Sequence, residues 1–226
     1  MSDVAGGLGA TRVFYDCIAE DYAAHFRDPL ADRPLERALL GAYAELVGPA
    51  GTVADLGCGP GAVTAYLASL GLDVFGVDLS TSMLTVARRE NPQLRFEQGS
   101  MLDLNLADGS LAGVVSWYSS VHTPEDELPS LFGEFHRVLA PGRHLLLAFQ
   151  VGEEPRRLER PWGRPVTLDF LRRRPEQMAE LLTAAGFILG SRTILEPDGL
   201  FSESVSQIPQ AFLFAQKPTG AAAETA

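Results

Sequence analysis

Cysteine is scarce in this chain. Cys17 and Cys58 are the only two among 226 residues, so no disulfide framework or thiolate metal cluster is available. Histidine is limited to four residues that do not group with acids at ligand spacing, so no metal site is expected. Basic residues are few, 18 Lys and Arg against 29 Asp and Glu, and the formal charge of −11 opposes binding to a phosphate backbone. No apolar run approaches the ~20 residues of a membrane span, and no basic-then-apolar leader opens the chain. These absences predict a cytoplasmic protein with no membrane and no nucleic-acid partner. Oligomeric state is left open.

What is present is globular: 46% hydrophobic and 21% charged residues, enough for one α/β domain with a sizeable core. Residues 1–11 are Gly- and Ala-rich and are expected to be mobile, as is a tail over 218–226. Phe14, Ile18, Tyr22 and Phe26 recur every four residues, which predicts an amphipathic helix over 12–26. A second helix is expected over 35–46, stopped by Gly48 and Pro49. From Thr52 onward short apolar runs alternate with helical segments. Strands are expected at 52–56, 73–77, 94–97, 113–117 and 145–149, and helices at 62–70, 82–90, 125–139 and 175–185. That alternation predicts a mostly parallel sheet covered on both faces. Two last strands, 187–195 and 209–216, have no helix between them and should pair antiparallel. The segment 150–175 lacks helical periodicity and should cover the mouth of the sheet.

The densest signal is Asp55, Leu56, Gly57, Cys58, Gly59, Pro60 and Gly61, followed at the end of the next apolar run by Asp78. A buried strand that breaks into alternating glycines brings backbone close to a ligand, and the following helix offers its N-terminus there. Asp78 supplies a carboxylate for the two hydroxyls of a ribose. Ligands on such sheets lie beyond the carboxyl ends of the strands, which gathers Asp55, Gly57, Asp78, Ser100, Trp117 and Gln150 around one mouth. A dinucleotide enzyme competes for this pattern: Gly57, Gly59 and Ala62 satisfy G-x-G-x-x-A, and Asp78 lies 21 residues beyond Gly57. Against it stand the acid two residues before the first glycine and the wider turn made by Pro60 and Gly61.

Further motifs occur in order: Tyr15, Asp16, Ala19 and Tyr22; Gly76, Val77, Asp78, Leu79 and Ser80 with Met83; Gly99, Ser100 and Met101; and the run from His136 to Gly142. With the glycine loop, this set resembles the class I S-adenosylmethionine-dependent methyltransferases over roughly residues 12–216. The resemblance implies a Rossmann-like three-layer α/β sandwich with a mostly parallel seven-stranded sheet and an antiparallel C-terminal strand. It implies S-adenosyl-L-methionine as cofactor. Backbone at Gly57 and Gly59 would hold the methionine moiety, with Asp55 fixing the loop or reaching the ammonium through water. Asp78 would take the ribose, Leu79 and Met101 would enclose adenine, and Met83 belongs to the same motif. Tyr15 and Tyr22 would reach the donor or the substrate from an N-terminal lid over 12–47. At the position after Gly99 the family often has Asp; here it is Ser100, so Asp103 is an alternative contact.

For the chemistry, His122 is the candidate base, with Tyr22 beside it and His25 a weaker alternative. Trp117 with Tyr118 offers an aromatic wall for a sulfonium cation. Cys58 is not expected to act as a nucleophile. The arginines between Arg156 and Arg174 are expected mostly to be solvated or paired with acids, with one or two available to clamp an anionic group of the substrate. Signatures of nucleic-acid amino methyltransferases are absent, which favours a small-molecule acceptor methylated on O or N. A non-catalytic binder of the same cofactor, or a nucleotide-dependent oxidoreductase, is the alternative.

Overall fold

The structure is a computed structural model that describes residues 4–49, 51–197 and 208–220. Helix α1 runs from Val4 to His25 and α2 from Pro34 to Val47. Strand β1 (Thr52–Leu56) leads into α3 (Ala62–Ser69), β2 (Asp73–Asp78) into α4 (Thr81–Glu90), and β3 (Arg95–Gln98) follows. Then come β4 (Leu111–Trp117), α5 (Leu128–Val138) and β5 (Leu139–Gln150). A hairpin of β6 (Arg156–Glu159) and β7 (Thr167–Phe170) precedes α6 (Pro175–Ala184), β8 (Ile188–Leu195) and β9 (Gln210–Gln216).

The seven-stranded sheet has the order β3-β2-β1-β4-β5-β9-β8. Neighbours from β3 to β5 are parallel, and β9 runs antiparallel to both β5 and β8. The expected α/β sandwich with one reversed strand is what is found. Side chains alternate between its two faces. Ala54 and Leu56 pack with Leu131, Phe135, Met178 and Leu182 of α5 and α6, whereas Val53 packs with Leu40, Tyr43 and Leu67 of α2 and α3. Chain direction from β1 goes outward to β2 and β3 on one side and crosses to β4 and β5 on the other. The crevice for a ligand therefore opens where β1 and β4 diverge.

Several elements differ from expectation; β5, for one, starts at Leu139 rather than at 145. Helix α1 starts at Val4 rather than Arg12, so residues 4–11, expected to be mobile, are helical. The helix expected from Glu125 begins at Leu128 after a 3-10 turn, because Pro129 has no N–H to give to the carbonyl four residues back. The cover segment contains the β6–β7 hairpin, with Leu158 paired to Leu168. The part of the expected tail beyond residue 220 lies outside the described residues. Among the described residues no helix is long and apolar enough to cross a membrane.

Candidate active site

A cavity of about 580 Å³ opens over the ends of β1, β2 and β4 and is roofed by α1 and the β6–β7 hairpin. The roof is held by packing: Phe14 and Ile18 of α1 are buried against Met83 and Val86 of α4, and Leu158, Leu168 and Phe170 of the hairpin join them. An ion pair from Arg164 to Asp21, 2.6 Å, ties hairpin to helix.

The glycine loop forms the floor. Gly57 has φ +75, and a Cβ there would sit 2.3 Å from Cβ of Ser119, so only glycine fits between the ends of β1 and β4. Its N–H groups are used within the protein. Gly57 and Cys58 both donate to the carbonyl of Val77, Gly61 donates to Cys58, and Gly59 donates to Oδ2 of Asp78 at 2.8 Å. Pro60 has none. A pyrophosphate cradle needs unpaired N–H groups, so this loop is poorly suited to one; its carbonyls suit an ammonium group better.

Asp78 lines the cavity at the end of β2. Its Oδ1 accepts from the backbone of Ser80 at 2.8 Å. Each carboxylate oxygen has a second lone pair, which suits a vicinal diol. Burial raises its pKa above the usual carboxylate value, and the three backbone N–H donors act in the opposite sense. Leu79, Met83, Gly99, Ser100 and Met101 complete this end. Ser100 Oγ is occupied by the N–H of Leu102 at 3.2 Å. Asp103 does not border the cavity.

Asp55 also stays behind the wall. It is 1% exposed and its Oδ2 accepts from the hydroxyl of Thr64 at 2.6 Å, which locks the loop to the first turn of α3. Desolvation lifts its pKa to about 7. Its carboxylate thus ties the loop to α3 and does not border the cavity.

Tyr15, Tyr22, His25, Trp117 and His122 all reach the cavity. The Tyr15 hydroxyl is 2.8 Å from Nε2 of His122, and Nδ1 of His122 is 3.3 Å from the carbonyl of Asp169. A carbonyl only accepts, so the imidazole proton is assigned to Nδ1 and Tyr15 donates to Nε2. Burial pushes His122 down to about 4 and holds it neutral. Burial likewise raises Tyr15 and Tyr22, so both stay phenols. The thiol of Cys58 is buried and raised, which leaves it un-ionised.

Three of the seven arginines in the cluster, Arg157, Arg164 and Arg173, are committed to partners. Arg157 pairs with Glu159 and Asp169, and Arg173 donates to the carbonyls of Thr123 and Arg172. Arg156 borders the cavity. The structure adds wall residues that the sequence did not single out: Arg33 and Glu36 at the start of α2, Ser119, and Gln210 at the start of β9. Nothing in their local sequence marks them; the folding of α2 against the ends of β4 and β5 brings them in.

Residues 53–142 match the family described as methyltransferase domain. Over 113 residues the chain is 33% identical to a malonyl-[acyl-carrier protein] O-methyltransferase of Pectobacterium atrosepticum, spanning 50% of this chain and 44% of that protein. The chain thus spans less than half the length of this relative. Among solved structures, a 1,6-didemethyltoxoflavin-N1-methyltransferase of Burkholderia thailandensis, bound to its substrate and S-adenosylhomocysteine, superposes with a TM-score of 0.68 at 22% identity, covering 93% of this chain and 88% of that one. A geranyl diphosphate C-methyltransferase of Streptomyces coelicolor has a TM-score of 0.62 at 18% identity, with coverage of 81% and 79%.

Proposed function

We propose that the chain, whose residues 53–142 match the methyltransferase domain family, is a class I S-adenosylmethionine-dependent methyltransferase that transfers a methyl group from S-adenosylmethionine to an oxygen or nitrogen atom of a small metabolite by in-line displacement. The observation that carries the reading is the pairing of a half-buried acid, Asp78, with a glycine loop whose N–H groups are already spent. That combination recognises a ribose and an ammonium group, and it disfavours the phosphates of a dinucleotide.

When bound, the donor supplies a methyl group on cationic sulfur, so the chemistry is carried by the cofactor. The chain's own residues bind, orient and exclude water. Asp78 takes the ribose hydroxyls, Leu79 and Met101 flank the adenine, and the carbonyls around Gly57 and Gly59 receive the ammonium. Trp117 offers an aromatic face to positive charge. The roof of α1 and hairpin keeps the reacting groups dry, and held alignment of this kind contributes up to ~7–11 kcal/mol in favourable cases.

An acceptor with a proton to lose needs a base. Of Tyr22 and His122, only His122 has a basic lone pair, and Tyr15 occupies it. The proton therefore travels by relay: Tyr15 passes its own proton to Nε2 and takes the acceptor's onto its oxygen. A small acceptor is supported by the limited cavity and by the charge of −11. The named relatives are O-, N- and C-methyltransferases, so the choice of oxygen or nitrogen rests on this relay alone.

Calorimetric titration with S-adenosylhomocysteine, alongside NAD and NADP, tests the donor site; radiolabelled methyl transfer into metabolite pools tests turnover. One-to-one binding of S-adenosylhomocysteine with labelled product is expected. Nicotinamide-nucleotide binding in its place would overturn the reading, and donor binding without product across broad pools would make the chain a non-catalytic binder.

A further inference from the structure

The hairpin that roofs the cavity is a two-stranded sheet of its own, separate from the seven main strands. Side chains along a strand alternate between its faces, and directly opposed residues share a face. Arg156 is opposite Phe170 and Leu158 opposite Leu168, so these four leave on one side. Arg157, Glu159, Thr167 and Asp169 leave on the other. The two sides differ in character. On the outer one, Arg157 pairs with Glu159 at 3.1 Å and with Asp169 at 3.3 Å. The inner one is apolar, with Leu158, Leu168 and Phe170 packed on the cluster of Phe14 and Ile18. Arg156, Leu158 and Phe170 border the cavity, and none of the outer four does.

Arg156 is therefore the cation on an otherwise apolar inward face. It is exposed, as a long basic side chain on such a face is when its stem lies along the apolar surface and its head stays in water. Its charge has nothing set against it. Three arginines border the cavity. Arg33 is held 2.6 Å from Glu36, and Arg12 acts on Asp16 of its own helix. Arg156 has no acid partner among the described residues, in a chain where 29 acids face 18 basic residues. Asp78, the other acid at the cavity, is engaged by backbone N–H groups at the donor end.

The position is close to the proton relay. Phe170, across the hairpin from Arg156, meets the ring of His122 edge-on at 4.7 Å between centroids. The N–H of Leu171 donates to the carbonyl of Val121 at 2.8 Å, and the carbonyl of Asp169 lies 3.3 Å from Nδ1 of His122. The end of β7 is thereby fixed to the loop that carries His122, and Arg156 is one strand away. A guanidinium offers N–H donors and no acceptor, and its planar fork matches the two oxygens of a carboxylate. No second basic side chain shares its face of the hairpin, so one positive charge meets one negative charge, which favours a carboxylate over a phosphate dianion. We infer that the methyl acceptor carries a carboxylate, which Arg156 holds while the acceptor's hydroxyl or amino group faces Tyr15 and His122. The inference rests on the methyl-transfer reading above and adds the acceptor class.

The test uses the protein saturated with S-adenosylhomocysteine and three probes of one shape and different charge: benzoate, benzamide and benzamidinium, with affinities read by titration calorimetry. Benzoate should bind one-to-one and about tenfold more tightly than either of the others. Arg156→Gln should weaken benzoate binding about tenfold and leave benzamide binding unchanged. Arg157→Gln removes the same charge from the outer face and should leave benzoate binding unchanged. Both variants should bind S-adenosylhomocysteine as the wild type does, which also shows that they are folded. Benzamide or benzamidinium binding as tightly as benzoate, no benzoate binding to the loaded protein, an equal loss in the two variants, or wild-type benzoate affinity in Arg156→Gln would each overturn the inference. A loss of S-adenosylhomocysteine affinity in Arg156→Gln would overturn it too, by assigning Arg156 to the donor. Failure of the wild-type protein to bind S-adenosylhomocysteine would overturn the donor reading instead, so the two failures are distinct.

Discussion

Tyr15 and His122, 107 positions apart in the chain, share a hydrogen bond of 2.8 Å across the cavity. The bond joins the roof helix α1 to the loop after β4, and it occupies the only basic nitrogen of the site's imidazole. Its consequence is that the two residues act as one unit. Tyr15→Phe and His122→Gln should each lower the rate of methyl transfer about 100-fold, within the ~10²–10⁴ range of a general base. The double variant should be no slower than the worse single one, as expected of groups that serve one step. Single-turnover transfer of radiolabelled methyl measures this. Full activity in either variant would remove the relay.

Two buried groups give opposite pH dependences of stability. His122 is depressed from 6.5 to about 4, so its contribution is present above pH 6.5 and is lost as pH falls through 4. That window corresponds to about 3 kcal/mol at most. Asp55 is raised from 3.8 to about 7, so its contribution is present below pH 3.8 and is lost as pH rises through 7. In the wild type the two partly offset each other between pH 4 and 6.5. Asp55→Asn should therefore steepen the rise of stability with pH across that window, and His122→Gln should flatten or reverse it. Urea denaturation at half-unit pH steps shows both; identical profiles for the three proteins would contradict the burial-driven shifts.

Asp78 accepts backbone N–H groups from Gly59 and Ser80 and borders the cavity. Replacing it by Ala removes the acceptor for the ribose and the tether of the loop together. S-adenosylhomocysteine binding should weaken by about 1–3 kcal/mol, roughly 5- to 150-fold in Kd. Calorimetry on Asp78→Ala decides this, and an unchanged Kd would move the ribose elsewhere.

The central parallel strands were legible because they are buried on both faces and read as largely apolar runs, as Val74–Val77 does, whereas the edge strand β3 buries only Phe96. The donor half of the site was legible for a different reason. Its residues, from Asp55 to Gly61 and at Asp78, sit at strand ends where local backbone geometry restricts the residue type, and Gly57 shows why. The other half had no such mark. Arg33, Glu36 and Gln210 are ordinary surface-type residues whose burial is imposed by the packing of α2 and by the reversal at β9. The Tyr15–His122 bond was equally hidden, since each residue was read as a separate candidate and only the tertiary fold aligns them. The β6–β7 hairpin escaped because its four-residue strands carry a single buried-facing position or two, too few to establish a period.

The roof over the cavity is held by apolar contact more than by charge, and the two contributions separate experimentally. Phe14 is 1% exposed and meets the rings of Tyr15 and Phe170 edge-on, at 5.3 and 6.3 Å between centroids. Phe14→Ala should cost about 3–5 kcal/mol, the loss expected for an aromatic removed from a packed core. Arg164 and Asp21 bridge the same two elements at 2.6 Å, but their side chains are 49% and 30% exposed. Water and salt screen such a pair, so Arg164→Ala should cost far less than Phe14→Ala. Denaturation midpoints for the two variants, at low and at high salt, measure the difference. A larger loss in Arg164→Ala than in Phe14→Ala would mean that the ion pair, not the aromatic packing, keeps the roof closed over the donor.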